Sequence, residues 1–220
     1  FESDCYLETY TYNTTSGVSV IVETTPPTSS CTVATYDNQA PITVDWSAAD
    51  SQTGVKTTYL YAKRPGDTGF IYTGLFSSGT SGTFAYTPGA GNGYYHFAVR
   101  SVDNGGNWEA TPTAAEDTTF FDTIAPSSSL SSPTYDIGGS IPISFSAFDP
   151  SPSSGLEWVD FWYKKGAAGI WTYTGHFSSA ASGSFFFTPG DGDGVYYFAS
   201  RAKDNAQNVE SHPPGGDDNT

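Results

Sequence analysis

The chain has 220 residues, of which 14% are charged and 16% aromatic, with 24 Gly, 14 Pro and no Met. That composition describes short strands and frequent turns, and it excludes a mainly helical protein. Eight Lys and Arg against 23 Asp and Glu give a formal charge of −15, which repels phosphate backbones and anionic lipid surfaces and argues against nucleic acid as a partner. No run approaches the roughly 20 apolar residues of a membrane-spanning helix, so membrane insertion is not expected. The chain opens on Phe1 rather than Met, which points to a mature exported form or a piece of something longer.

Residues 1–25 read as an N-terminal β arm. Alternating aromatics in FESDCYLETYTYN predict one strand, Asn13-Thr14-Thr15-Ser16-Gly17 a turn, and Val18 to Glu23 a second strand, together a hairpin. The turn carries a glycosylation sequon at Asn13, and attached glycans would suit an exported protein. A hairpin brings Cys5 toward Cys31, so a Cys5–Cys31 disulfide stapling the arm to the following domain is expected, with two free thiols or a bridge between subunits as the rivals.

The rest of the chain is an internal repeat. Glu23 to Asp50 aligns without a gap on Asp122 to Asp149, an offset of 99. After a two-residue insertion the offset becomes 101, and Phe76 to Glu109 aligns on Phe177 to Glu210. The expected domains are therefore residues 26–122 and 123–220. In each, apolar residues alternate as half-buried strands require. Ile42, Val44 and Trp46 match Ile141, Ile143 and Phe145; Phe84 and Tyr86 match Phe185 and Phe187; Tyr95, Phe97 and Val99 match Tyr196, Phe198 and Ser200. With Gly- and Pro-rich turns between these rows, each unit has about seven strands in about 100 residues, the pattern of an immunoglobulin-like β-sandwich. The fold class is all-β, two tandem sandwiches behind an N-terminal arm.

The run from Gly93 to Glu109, repeated from Gly194 to Glu210, has the form G-x-Y-x-F with D-N-x-x-N-x-E after it, and D-T-x-A-P joins the units at Asp122 to Pro126. These motifs resemble the immunoglobulin-like or fibronectin-III-like repeats of prokaryotic cell-surface proteins. The resemblance covers residues 24–220 and implies a stalk, spacer, adhesive module or filament unit.

Strand bookkeeping adds a mechanism. Thr220 stands opposite Thr119, so unit two is expected to lack its seventh strand, while Val18 to Glu23 aligns with Asp117 to Asp122 and is a seventh strand with no domain in front of it. An open sandwich edge invites an incoming strand. Donation of the arm, through Val18, Val20, Ile21 and Val22, into unit two of a second copy gives a head-to-tail, pilus-like homopolymer. The rivals are a longer tandem array that supplies the strand in cis, and an adhesin or stalk fragment that binds carbohydrate through exposed rings such as Tyr61, Tyr94, Trp108, Trp162 and Tyr197.

Catalytic chemistry finds little purchase. His96, His176 and His212 stand opposite Tyr197, Leu75 and Thr111, so none recurs, and no nucleotide-binding motif occurs. No catalytic residue and no enzymatic activity is expected. The Gly190 to Gly194 run looks like a calcium loop, but its counterpart Gly89 to Gly93 lacks the acids and both read as turns. Acids that do recur are Asp50 with Asp149, Asp103 with Asp204, Glu109 with Glu210, and Glu23 with Asp122 at the joints. Asp50, Asp103, Asp149 and Asp204 are the candidate Ca²⁺ ligands, with turn capping as the alternative role.

Overall fold

The computed structural model describes residues 20–137, 139–211 and 216–219. Asn13, Cys5 and Val18 lie outside the described residues. The chain is a tandem of immunoglobulin-like β-sandwiches. In unit one, β1 (Thr28–Thr32), β3 (Ile42–Ala49) and β6 (Ser81–Tyr86) form one sheet in the order β1-β3-β6. The facing sheet runs β2-β8-β7-β4-β5, from β2 (Tyr36–Asp37), β4 (Val55–Lys63), β5 (Ile71–Ser77), β7 (Gly93–Asp103) and β8 (Asp117–Phe121).

Unit two repeats this plan. β9 (Ser127–Ser131), β10 (Ile141–Phe148) and β13 (Ser182–Phe187) make the first sheet. β11 (Leu156–Lys165), β12 (Thr172–Ser178), β14 (Tyr196–Asp204) and β15 (Asp218–Asn219) make the second, ordered β12-β11-β14-β15. Both units carry the same irregularity, a register shift at Val55/Thr57 and at Leu156/Trp158 where the third long strand begins. No described helix is long and apolar enough to cross a membrane.

The alternation read from the sequence is the alternation of burial. Every second residue of β3 and of β10 faces inward. Ile42, Val44, Leu60, Phe97 and Tyr95 fill one core, and Ile143, Val159, Phe161 and Phe198 fill the other. Trp46 stacks on Phe84 at 5.6 Å and lies over Gly82, where an added Cβ would come within 3.1 Å of the indole nitrogen. Phe145 covers Gly183 in the same way. At the start of β7 the Tyr95 hydroxyl donates to the Gly91 carbonyl (2.9 Å), and Tyr196 does the same to Gly192 (2.7 Å), which ties each strand to its preceding turn as a tyrosine corner does. His96 takes the outward phase, half-buried, with Nδ1 2.9 Å from the Thr118 hydroxyl.

Carboxylates fasten the first strand of each sandwich to the opposite sheet. Glu109 accepts from the Ser29 amide (2.6 Å), the Ser29 hydroxyl and the Ser101 amide (2.5 Å). Glu210 repeats this with Ser128 and the Ala202 amide. These two recurring acids are therefore structural fasteners and not members of the acidic joints. Glu116 accepts from the Cys31 amide (2.8 Å), and Asp217, its counterpart, accepts from the Ser200 amide and hydroxyl.

Cys31 is a free, buried thiol packed in the core of unit one. Burial and the adjacent Glu116 carboxylate push its pKa far up. Its expected partner Cys5 is outside the described residues, so the bridge remains an expectation of the sequence alone.

Because Phe97 is fully buried and His96 beside it is not, Phe97→Ala should cost about 3–5 kcal/mol. His96→Ala should cost about 1 kcal/mol. Denaturant unfolding of the two variants measures the difference.

Candidate functional site

Two features stand out, an open strand seat in unit two and an acidic joint at the head of each unit. Both follow from where the seventh strand lies in unit one. There, β8 is held between two neighbours. It pairs antiparallel with β7, with Thr119 opposite Tyr95, Phe120 opposite Tyr94 and Phe121 opposite Gly93. It also pairs parallel with β2, Tyr36 beside Phe120 and Asp37 beside Phe121. Phe121 turns inward onto Tyr95 at 6.1 Å and joins the core, while Phe120 meets Tyr94 edge to face at 4.7 Å. Thr119 is fully buried and its hydroxyl has no hydrogen-bond partner. That seat is dry.

In unit two the corresponding strand is β15. Asp218 pairs with Phe198 and Asn219 with Tyr197, the register of Asp117 with Phe97 and Thr118 with His96. The seventh strand thus starts two residues before the point expected from the sequence, because its counterpart β8 starts at Asp117. Thr220, the counterpart of Thr119, lies outside the described residues, and no described residue occupies the positions of Phe120 and Phe121. A groove of about 700 Å³ lies there instead, lined by Tyr135, Asp136, Ile141, Pro189, Val195 and Tyr196 among others. Tyr135 and Asp136 are the counterparts of Tyr36 and Asp37, and they form no strand. Tyr135 is 89% exposed and Ile137 107% exposed, against 40% for Tyr36, because the neighbour that covers Tyr36 in unit one has no described equivalent.

The arm residues expected to act as donor are solvent-facing. Val20 is 79% exposed, Ile21 68% and Val22 81%, and none is in a strand. Glu23, next in the chain, is held by unit one: its Oε2 accepts from the Thr53 hydroxyl (2.6 Å), and its carbonyl accepts from the Asn107 side chain (3.2 Å).

Glu23 belongs to the first acidic joint. Carboxylate oxygens of Glu23, Asp50 and Asp103 lie within 4.8 Å of one another, and those of Asp122, Asp149 and Asp204 do the same at the second joint. The local fold explains both. Asp50 and Asp149 open the turn before the third long strand, where Asp50 Oδ1 accepts from the amides of Thr53 (2.9 Å) and Gly54 (2.6 Å), and Asp149 Oδ2 accepts from Gly155 (2.8 Å). Asp103 and Asp204 end the sixth long strand, each gripped by the amide and side chain of the Asn four residues on, all at 2.8 Å. Asp122 arrives from the end of β8. It accepts from Asn92 (2.7 Å) on one side and from the Ser154 amide (2.8 Å) of unit two on the other, while its carbonyl accepts from Asn208 (2.8 Å).

Three anionic carboxylates this close repel, by roughly 3 kcal/mol a pair at a protein-surface dielectric. Burial, then the Asp122 and Asp204 charges, push Asp149 above the ordinary carboxylate range, and burial followed by Asp122 does the same to Asp204. Burial also works against ionisation of Asp103, but the bonds from Asn107 and Gly106 outweigh it and hold that carboxyl low. One oxygen in each joint, Glu23 Oε1 and Asp149 Oδ1, is buried without a hydrogen-bond partner. The donor sets are all oxygen and fit a hard divalent cation.

The rings considered for sugar stacking sit on the outer faces of the larger sheets. Tyr61 packs on Tyr72 (5.7 Å), and Trp108 packs on Tyr59 (5.2 Å) with Arg100 over it. Trp162 packs on Tyr173 (5.5 Å) with Arg201 over it, Tyr197 lies under Lys164, and Tyr94 sits between His96 and Phe120. Each ring is engaged by neighbours of its own unit. Asn107 and Asn208, which tie the joints together, were present in the D-N-x-x-N motif without being singled out; their recurrence was the available signal.

No protein-family model matches the chain, and no curated relative matches it. Among solved structures, the crystal structure of the chicken CNTN1 FN1-FN3 domains is similar, with a TM-score of 0.43 at 14% identity. The similarity covers 87% of this chain and 64% of that one, so the chain spans less than two thirds of that structure's length.

Asn208 bridges the Asp204 carboxylate and the Asp122 carbonyl, so Asn208→Ala leaves a buried acid short of donors. It should cost about 1–3 kcal/mol. Thermal unfolding should report this as a lowered midpoint, and Asn107→Ala should act in the same direction on unit one.

Proposed function

We propose that this protein is a structural, non-enzymatic subunit of an extracellular filament, assembled head to tail by donation of the arm into unit two of a second copy. The observation that carries this reading is the groove between Tyr135–Asp136 and Val195–Tyr196, which corresponds to the position of β8 in unit one. The donor narrows relative to the sequence expectation. Asp218, Asn219 and Thr220 take the places that would fall to Val18, Ser19 and Val20, so the positions assigned to the arm are those of Phe120 and Phe121, matching Ile21 and Val22.

Burying two such side chains contributes roughly 3–6 kcal/mol before costs. Association costs about 4–15 kcal/mol in lost freedom, so these two residues alone give a weak contact. Coverage of Tyr135, Ile137 and Val195, all exposed, supplies the additional apolar area that a persistent filament needs. Donor and acceptor belong to opposite ends of the molecule, so the contact is heterologous and propagates.

Calcium belongs to the same reading as a stiffener of the joints. The residues that would hold it are Glu23, Asp50 and Asp103 in one joint and Asp122, Asp149 and Asp204 in the other, supported by the two buried carboxylate oxygens that lack donors. A bound cation neutralises the mutual repulsion of the three acids and restrains each linker against its unit.

Negative-stain microscopy of the full chain beside one lacking residues 1–24 tests the assembly. Filaments only in the former are expected, and Ile21→Asp should abolish them because a charge in the closed groove costs several kcal/mol. Dispersed particles in every preparation overturn the reading. For the joints, calcium at a hundredfold excess over its dissociation constant should stabilise each site by about 2.7 kcal/mol. The thermal midpoint should rise accordingly, the chelated protein should lose the rise, and Asp149→Asn should remove the part due to the second joint. A midpoint indifferent to both calcium and chelator leaves these acids as turn caps.

A further inference from the structure

We infer that the joint between subunits copies the joint within the chain, residue for residue. Ile21 and Val22 of one copy take the seats in unit two that Phe120 and Phe121 take in unit one, with Ile21 opposite Val195. This rests on the filament reading above and specifies its interface.

Three observations fix the register. The first is the backbone after the donor. Asp122 follows Phe121 directly and is clamped by unit two through the Ser154 amide and Asn208. Glu23 follows Val22 directly and is clamped by unit one through Thr53 and Asn107, the counterparts of Ser154 and Asn208. A strand ending at Val22 therefore leaves its seat already attached to the next domain, as β8 does. Sliding the strand by one residue breaks this equivalence and turns every side chain to the opposite face.

The second observation is the chemistry of the seats. The core-facing position of Phe121 falls to Val22, above Tyr196 as Phe121 lies above Tyr95. The outward position of Phe120 falls to Ile21, which would cover Tyr135 and Val195, exposed at 89% and 49%.

The third is the seat's length. Asp218 and Asn219 already hold the first two ladder positions in the register of Asp117 and Thr118. Thr220, the counterpart of Thr119, follows them in the chain, so the next positions on that edge are those of Phe120 and Phe121, which fall to Ile21 and Val22 and continue a strand begun by the other chain.

Paired cysteines read the register. In a background with Cys5→Ser and Cys31→Ala that is first shown to form filaments, Val195→Cys is combined in turn with Val20→Cys, Ile21→Cys and Val22→Cys. Residues 20–22 and Val195 are exposed in the free subunit, and the midpoint of each variant before assembly checks folding. Mild oxidation should convert only the Ile21/Val195 filaments into a covalent ladder of multimers, since the other two residues face away or lie a step off the pair. Filaments that cross-link through Val20 or Val22 instead overturn the register and leave strand donation standing. Filaments with no ladder from any pair overturn this interface. A cross-link confined within single chains overturns the exchange between copies, and an uncross-linkable, unassembled parent protein overturns the filament reading itself.

Discussion

The pairing of β8 with β7 is the constraint on which the rest depends. It brings Phe121 over Tyr95 to close the core of unit one. It also delivers Asp122 to the point where Asn92, Ser154 and Asn208 converge. A strand that completes one sandwich thereby becomes the anchor of the next, so core closure and domain linkage are one structural act. Among the described residues, the equivalent edge in unit two carries Asp218 and Asn219, and the groove lies beside Val195.

The acidic joints depend on the same arrangement. Each collects one carboxylate from the segment entering the unit, one from the turn before the third long strand and one from the end of the sixth. No two of these are close in sequence within a unit, and only a correctly closed sandwich brings them together. Repulsion among them opposes folding, while hydrogen bonds from Asn107 and Asn208 offset part of it. The joints are therefore places where the cost of gathering like charges falls directly on folding.

Much of this was legible in the sequence because the chain contains its own comparison. The inward rows through Ile42, Val44 and Trp46 and through Ile141, Ile143 and Phe145 gave the sheet faces, since burial in a half-exposed strand follows a period of two. The members of the joints were visible as acids that recur at matched positions. Recurrence did not separate their roles, however. Glu109 and Glu210 recur as faithfully as Asp103 and Asp204, yet they fasten Ser29 and Ser128, which depends on cross-sheet distances that no local pattern encodes. The short parallel pair of β2 with β8 was also hidden, because two residues are too few to show periodicity and the pairing spans more than 80 positions. The depth of Cys31 in the core beside Glu116 was likewise hidden, because a hairpin argument speaks only to proximity along the chain.

That parallel pair bears on mechanics. Tyr36–Asp37 and Phe120–Phe121 run in the same direction near the two ends of unit one, joined by the Phe120 amide to the Thr35 carbonyl (3.0 Å) and the Asp122 amide to the Asp37 carbonyl (2.9 Å). Tension applied through the termini of the unit pulls one strand toward its N-terminus and the other toward its C-terminus. Both hydrogen bonds then lie across the line of force and must rupture together in shear, whereas a hairpin pulled from its open end would unzip them one at a time. Unit one is thus built to bear load along its length.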